Sequence, residues 1–374
     1  MFEPNSYEKQ WRVGSESGGI SEAGIVAPIL HSKGRFHFLE AARGLASIWV
    51  LLFHSLGAFP KDGLPGTLKL IRVISQWGWL GVHIFFAISG WCIAERFAKG
   101  HVKGESGYHF AIERVLRIYP TYWAALVVAI LIHVVAIPFN TGHLTSAVPN
   151  GFLGWFSSFL ILEPYFGRSS YLLVSWSLVY ELGFYLCAAI ALEVTRRRIG
   201  TDSFMFFVGG LLCFCPWVAH QISPPWRILD LWPDFFAGVA AWWAARRKFR
   251  TSGYGLLALM LAAATFWPGY GGIGRFSAVA SALILAFLWR WDVDPAKSRW
   301  MRPMVWAGGL SYSLYLIHVP LISSFENLLG RWVPSSSNWF IVVWVFGLAV
   351  AITGAAMLNR LVELPIERWR RRAI

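Results

Sequence analysis

Charged side chains are scarce in this chain of 374 residues: Asp, Glu, Lys and Arg make up 14%, whereas apolar residues make up 56%. A soluble domain usually carries about a quarter charged residues. The scarcity excludes an ordinary soluble globular protein and predicts an integral membrane protein, with the lipid bilayer as its main partner. The 22 Trp and 12 Tyr agree with this class, because both residues anchor proteins at the lipid–water boundary.

Cysteine is also rare. The four cysteines all lie within apolar runs, where they are expected to be small buried hydrophobic residues. Cys213 and Cys215, separated by one residue, lack the spacing and the histidine partners of a zinc site. The sequence therefore predicts no metal site.

Acidic residues are fewer than basic ones, and the net charge is +13. The basic residues form short clusters between apolar runs, at 196–198, 246–248 and 368–372. This is how a multi-pass protein marks its cytoplasmic loops, and it argues against a nucleic-acid partner.

Ten apolar runs are long enough, or nearly so, to cross a hydrocarbon core of ~30 Å. With ten spans and a cytoplasmic N-terminus, 25 of the 33 Lys and Arg residues lie inside and 7 lie outside. A span at 151–163 would invert this asymmetry, so we interpret that run as an interfacial or re-entrant segment on the outer side. The fold class is thus an all-α polytopic membrane helical bundle of about ten transmembrane helices, with both termini cytoplasmic. The runs lie at about 38–59, 77–97, 114–137, 172–194, 204–222, 230–245, 253–269, 276–290, 304–328 and 338–360.

One membrane domain occupies nearly the whole chain. Residues 1–35 are polar and rich in Gly and Ser, which predicts a disordered cytoplasmic tail. The membrane domain covers 36–362, and 363–374 form a basic cytoplasmic tail. The first apolar run is too long for a signal peptide and is interpreted as an uncleaved first span.

The first predicted span contains unexpected ionisable residues. Arg43 and His54 are 11 residues apart, so they share one helix face and are separated by ~16 Å along the axis. Polar residues in a membrane helix face the bundle interior or a wet cavity. Glu40 and Arg43 are also consistent with a structural ion pair near the inner interface.

Two other predicted spans carry ionisable groups to a similar depth. His54, His318 and Glu181 lie at ~24, ~21 and ~16 Å above the cytoplasmic side. A histidine beside a buried carboxylate is suited to general-base catalysis, because the carboxylate fixes the tautomer. The alternative is that Glu181 and His318 are hydrogen-bonding links between helices. For His83, nearer the outer end of its span, we favour the structural interpretation.

A second group of charges lies at the predicted inner opening. Arg114 and Arg117 are three residues apart at the start of the third span, at nearly the level of Arg43. Clustered guanidinium groups suit phosphate recognition, although arginines at this position also serve as ordinary membrane anchors. An inner phosphate site below an outer proton-transfer site fits a long donor such as acyl-coenzyme A.

The chain resembles the acyltransferase-3 family of integral-membrane O-acyltransferases over about residues 36–370. The resemblance implies that His54 is the catalytic base of an Arg-x10-His pair and that Arg114 and Arg117 bind the acyl donor. Where the family often has Asp-Gly before the arginine, this chain has Glu40-Ala-Ala. The matching motifs are LEAARGLASIWVLLFH, FFAISGW, RVLRIYP, SWSLVYELGFY, SYSLYLIHVPL and VELPIER.

From the resemblance we expect a bacterial inner-membrane enzyme that moves a short acyl group, such as acetyl, from cytoplasmic acyl-coenzyme A to a carbohydrate or glycolipid hydroxyl. Glu181 would orient His54 or bind the sugar. Trp176, Tyr315 and His318 would contact the acceptor. Two other classes remain open from the residues alone: a proton-coupled transporter of a sugar or acylated compound, and a scaffold for a polysaccharide-synthesis complex.

Overall fold

The structure, a computed structural model, describes residues 36–57, 64–136, 149, 151–198, 230–246, 250–265, 269–292, 298–329 and 338–373. The predicted N-terminal tail, the predicted span at 204–222, and Cys213 and Cys215 lie outside the described residues. Within the described residues every regular element is helical, which confirms the all-α prediction.

The helices are numbered along the described chain. They are α1 His37–Gly57, α2 Gly66–Ser75, α3 Leu80–Val102, α4 Gly107–Ala136, α5 Gly151–Phe159, α6 Trp176–Arg198, α7 Trp232–Ala244, α8 Arg250–Thr265, α9 Gly269–Leu288, α10 Met301–Leu329, α11 Trp339–Leu358 and α12 Leu364–Ala373. Short 3₁₀ turns at Glu163–Phe166, Leu173–Ser175 and Trp289–Trp291, and a π-helical turn at Asn359–Glu363, complete the described elements.

Seven described helical segments are long and apolar enough to cross a membrane, which confirms a multi-pass protein. They lie in α1, α3, α4, α6, α9, α10 and the continuous segment that begins with α11. Helices α7 and α8 occupy predicted spans but have 13 and 16 residues. A full crossing needs about 20 residues. The count of ten spans and the cytoplasmic side of both termini stay predictions.

Helix α7 shows why a short helix can lie within the bundle. All of its 13 residues are buried, and it packs against α3, α8 and α9. A helix that is apolar on all sides belongs in the protein interior rather than against lipid. Helix α5, in the short run at 151–163, has nine residues. It rises about 13 Å and is too short to cross the bilayer.

Helices α1 and α10 cross at unusually close range. A Cβ atom on Gly44 would lie 2.2 Å from the carbonyl oxygen of Met304, and one on Gly308 would lie 2.0 Å from that of Glu40. Small residues at a membrane helix crossing allow the backbones to touch and gain van der Waals contact. This crossing sets the register between the polar face of α1 and that of α10.

The first turn of α1 is fixed by a residue that lies far away in the sequence. The carboxylate of Asp292 accepts hydrogen bonds from the backbone N–H groups of His37 and Phe38, at 3.0 and 3.1 Å. These N–H groups have no partner within the helix, so the carboxylate acts as a cap. The ring of Phe36 packs against those of Trp91 and Trp289. The height of α1 in the bundle is set at this end.

The crossing makes a direct prediction about Gly308. Gly308→Ala should destabilise the protein by about 1–3 kcal/mol, because the added methyl group overlaps the backbone of α1. The measurement is the midpoint of thermal unfolding in detergent micelles.

The neighbouring glycine provides a matched control. A Cβ on Gly309 would meet nothing within 4 Å, so Gly309→Ala should leave the midpoint unchanged or slightly raised. Equal midpoints for the two variants would contradict a close crossing at Gly308.

Candidate active site

A cavity lies inside the bundle between α1, α3, α4, α6 and α10. Five of the residues that the sequence predicts as functional line it, although four different helices supply them. They are Arg43, Arg114, Arg117, Glu181 and Tyr315.

The three guanidinium groups differ in their surroundings. Arg43 lies 4.0 Å from Glu40, one helical turn before it, so the predicted ion pair is present. Arg114 is 6% exposed, and its Nε has no hydrogen-bond partner in the described part of the chain. Arg117 is enclosed by the bundle, yet more than a third of its surface is accessible because it projects into the cavity.

Aromatic rings hold the buried guanidinium of Arg114. Its central carbon lies 5.3 Å from the ring centre of Phe110 and 5.6 Å from that of Tyr185. It also forms an ion pair with Glu113, at 3.7 Å. Rings stabilise a cation without consuming its N–H groups. Arg114 therefore keeps hydrogen-bonding capacity for an anion.

Glu181 lies on the arginine side of the site. It accepts a hydrogen bond from Ser89 Oγ at 2.9 Å and another from the hydroxyl of Tyr185. Its charge acts on Arg117. In the described part of the chain the hydrogen-bond partners of Glu181 are thus hydroxyl groups, and no contact joins it to His54.

His54 has a different partner, His318 on α10. The centres of the two rings are 5.1 Å apart. The Nδ1 atom of His318 lies 2.9 Å from the carbonyl oxygens of both Leu314 and Tyr315. A carbonyl oxygen can only accept, so Nδ1 carries the proton and Nε2 presents a lone pair. His318 is 1% exposed, and Nε2 has no hydrogen-bond partner among the described residues.

Tyr315 lies between this histidine pair and the cavity. Its ring lines the cavity, and its ring centre is 6.1 Å from that of His318. Its hydroxyl is 2.8 Å from Ser177 Oγ and donates to the carbonyl oxygen of Val174 at 3.1 Å. His54 and His318 are not part of the cavity lining. The cavity therefore approaches the histidine pair at Tyr315 without including either imidazole in its lining.

Trp176 lies outside the group of predicted residues that line the cavity. It begins α6, is 38% exposed, and contacts the ring of Tyr180 at 5.9 Å. It is not part of the cavity lining.

The π-helical turn brings a residue near the site that was not predicted to be functional. Glu363 accepts hydrogen bonds from Ser313 at 2.6 Å and from the side-chain amide of Asn359 at 2.9 Å. Its charge acts on Arg117 and on Tyr312, which also lines the cavity. The motif VELPIER includes Glu363, and π-helical turns often occur at functional sites.

His83 forms a separate buried pair. Its Nδ1 lies 2.6 Å from Asp234 Oδ2, and the guanidinium of Arg275 donates to the carbonyl oxygen of Asp230. These contacts join α3, α7 and α9, which favours the structural interpretation of His83. Within the described ranges, no group of three or more His, Cys, Asp and Glu side chains is arranged to hold a metal ion.

The fold and the site define a multi-pass membrane protein with an arginine-lined internal cavity beside a histidine pair. The chain belongs to the acyltransferase-3 family, whose model, described as an acyltransferase domain, matches residues 36–360. The protein is therefore a membrane acyltransferase, and this class displaces the transporter and the scaffold considered above.

A curated relative agrees with this assignment. Nodulation protein 10 of Rhizobium leguminosarum bv. viciae is 26% identical over an alignment of 373 residues. The match covers 91% of this chain and 95% of the relative. No solved structure matches the chain.

The cavity provides its own electrostatic reporter, Cys92, which lines it together with Arg43. Guanidinium groups raise the local concentration of anions. The reporter quantity is the rate at which an anionic methanethiosulfonate reagent modifies Cys92, divided by the rate for a neutral reagent of similar size. This ratio should be higher when Arg43 is present than in the Arg43→Gln variant. We expect that variant to lower the ratio of the two rates at least threefold. The measurement is mass spectrometry of labelled protein in which Ser replaces Cys187, Cys213 and Cys215.

Lys69→Gln is the matched control, because Lys69 is an exposed cation on α2 outside the cavity lining. It should leave the ratio of rates unchanged. A ratio that does not respond to Arg43→Gln would show that Arg43 does not set the potential at Cys92.

Proposed function

We propose that this membrane acyltransferase moves a short acyl group, most simply acetyl, from acyl-coenzyme A to a hydroxyl of a cell-surface or lipid-linked carbohydrate. It would act in the inner membrane of a bacterium. One observation carries the proposal: Arg43, Arg114 and Arg117 share a cavity with Tyr315, whose ring centre lies 6.1 Å from that of His318.

The donor end of the proposal rests on the arginines. Burying a guanidinium in a membrane protein is costly unless it is paired or functional. Arg114 keeps a free Nε, and Arg117 projects into accessible space, so both suit the phosphate groups of coenzyme A. The rest of the lining includes Phe85, Phe86 and Leu178, which suit an uncharged pantetheine arm and a short acyl chain.

The chemistry would take place beside the histidine pair. His54 removes the proton of the acceptor hydroxyl, and the resulting oxygen attacks the thioester carbonyl. The carbon–sulfur bond then breaks, and the proton held by the imidazole goes to the departing thiolate of coenzyme A. His318 supports this step, because its Nε2 lone pair faces no competing donor among the described residues.

Glu181 takes a different role in the proposal from the one first expected. Its hydrogen bonds with Ser89 and Tyr185 keep its negative charge near Arg117, which supports the donor end by stabilising the guanidinium. Trp176 remains a candidate for stacking on a sugar face, because its ring is partly exposed at the start of α6. In this proposal the acceptor approaches from that end of α6, which the charge pattern predicts to be on the outer side.

The central test is His54→Ala in purified protein reconstituted into nanodiscs. Without the base, release of free coenzyme A in the presence of a glycan acceptor should fall at least a hundredfold. The measurement is thiol release from acetyl-coenzyme A, combined with mass spectrometry of the acceptor.

His133→Ala controls for the loss of a buried imidazole, since His133 is buried on α4 and lies outside the cavity lining. It should retain most of the activity. Wild-type rates for His54→Ala would remove His54 as the base. Failure of acetyl-coenzyme A to support transfer in the unmodified protein would overturn the proposed donor.

A further inference from the structure

A second cavity, with about 710 Å³ of empty space, lies at the end of the bundle where α3 ends, α4 begins and α12 packs. We call it the basic cleft. Four cationic side chains line it, and two carboxylates accompany them, Glu105 and Glu113. The cations are Arg96, Lys103, Arg370 and Arg371.

The basic cleft shares a wall with the arginine-lined cavity. The Glu113 carboxylate accepts hydrogen bonds from Arg96 Nε at 2.6 Å and from Arg370 at 3.3 Å. It also lies 3.7 Å from Arg114, which lines the first cavity. One carboxylate thus holds three arginines in a fixed arrangement at the boundary between the two spaces.

The charges in the basic cleft do not balance. Arg96 makes two hydrogen bonds to Glu105, at 2.5 and 2.6 Å. Its guanidinium holds the pKa of Glu105 below its usual range, so this carboxylate is ionised. Glu105 and Glu113 together compensate two of the four cations, and Glu367 pairs with Arg371, which leaves an excess of one positive charge among these side chains. Lys103 and Arg371 are exposed, so a ligand in solution can reach both side chains.

Helix α12 forms one side of the basic cleft. It follows the π-helical turn, and its Arg370 is buried and also donates to the backbone carbonyl of Glu113. The neighbouring Arg371 is bonded to Glu367 one turn earlier, which directs a pre-ordered guanidinium toward the same space. The basic end of the chain is therefore part of the folded unit rather than only a charged tail.

We infer that the basic cleft binds the 3′-phosphoadenosine end of the acyl donor, while the adjoining cavity holds its diphosphate and pantetheine arm. This inference rests on the proposed function, in which the donor is acyl-coenzyme A. Phosphate groups suit this lining because Lys offers a compact charge and Arg offers a fork for two oxygens. The shared wall at Glu113 and Arg114 allows one extended molecule to occupy both spaces.

The test uses two exposed residues whose loss should not disturb the buried ion pairs. Lys103→Ala and Arg371→Gln should each raise the KM for acetyl-coenzyme A about five- to tenfold, because each removes a charged phosphate contact. Neither should change the KM for S-acetylpantetheine, which has no phosphate. Lys69→Ala, an exposed lysine on α2 outside the basic cleft, should alter neither value.

A binding measurement separates this inference from the proposed function. Adenosine 3′,5′-bisphosphate should bind the full-length protein in calorimetry, and Lys103→Ala and Arg371→Gln should weaken it five- to tenfold. Absence of binding, or equal affinity in all variants, would overturn the basic cleft as a phosphate site even if acyl transfer is confirmed. Binding without any acyl transfer would instead overturn the proposed function.

Anionic lipid headgroups carry the same phosphate chemistry, so the bilayer is varied as well. The effects of both variants should persist in nanodiscs made only of phosphatidylcholine. Effects that appear only when phosphatidylglycerol is present would assign the basic cleft to lipid and overturn the inference.

Discussion

The close crossing of α1 and α10 is the contact on which the site depends. Gly44 and Gly308 let the two backbones touch, and this contact sets the height of one helix against the other. Arg43 and His54 lie on α1, whereas Tyr315 and His318 lie on α10. A shift of one residue along either axis changes the height by about 1.5 Å and turns the side chains by about 100°. The close crossing prevents a shift of this kind, and it thereby keeps His54 beside His318.

The buried arginines fall into two groups, according to how completely their charges are paired. Arg96 and Arg370 donate hydrogen bonds to Glu105 and Glu113. These partners offset the cost of burying the two guanidinium charges, so Arg96 and Arg370 link the helices. Arg114 and Arg117 are held instead by rings and by distant charges, which leaves N–H groups facing the cavity. In a low-dielectric interior such incomplete pairing is expensive, and a binding site is the usual reason for it.

Much of the architecture could be predicted because it depends on the order of apolar and polar residues within individual helices. Apolar runs located the helices, and the spacing between Arg43 and His54 placed both on one face. The partners of those residues could not be predicted in the same way. The predicted depths of Glu181 and His54 in the membrane suggested that the two residues could meet. The rotation of α6 about its axis instead directs the side chain of Glu181 toward Ser89 and brings its charge near Arg117. The rotation of a helix depends on its packing against other helices, so it could not be predicted from the residues of α6 alone. The packing of α12 against Glu113 depends on a π-helical turn that a regular helical period does not reveal.

The position of Tyr315 bears on how a donor and an acceptor can meet. A thioester that leaked to water would waste the acyl group, so a transferase must keep its donor apart from bulk water until the acceptor is present. The Tyr315 hydroxyl is held by Ser177 and Val174 through two hydrogen bonds, and its ring lines the cavity beside His318. Both partners belong to one neighbouring stretch of chain, so one rotation about the tyrosine side chain breaks the two hydrogen bonds together. In the proposed reaction, that rotation would open the arginine-lined cavity toward His318.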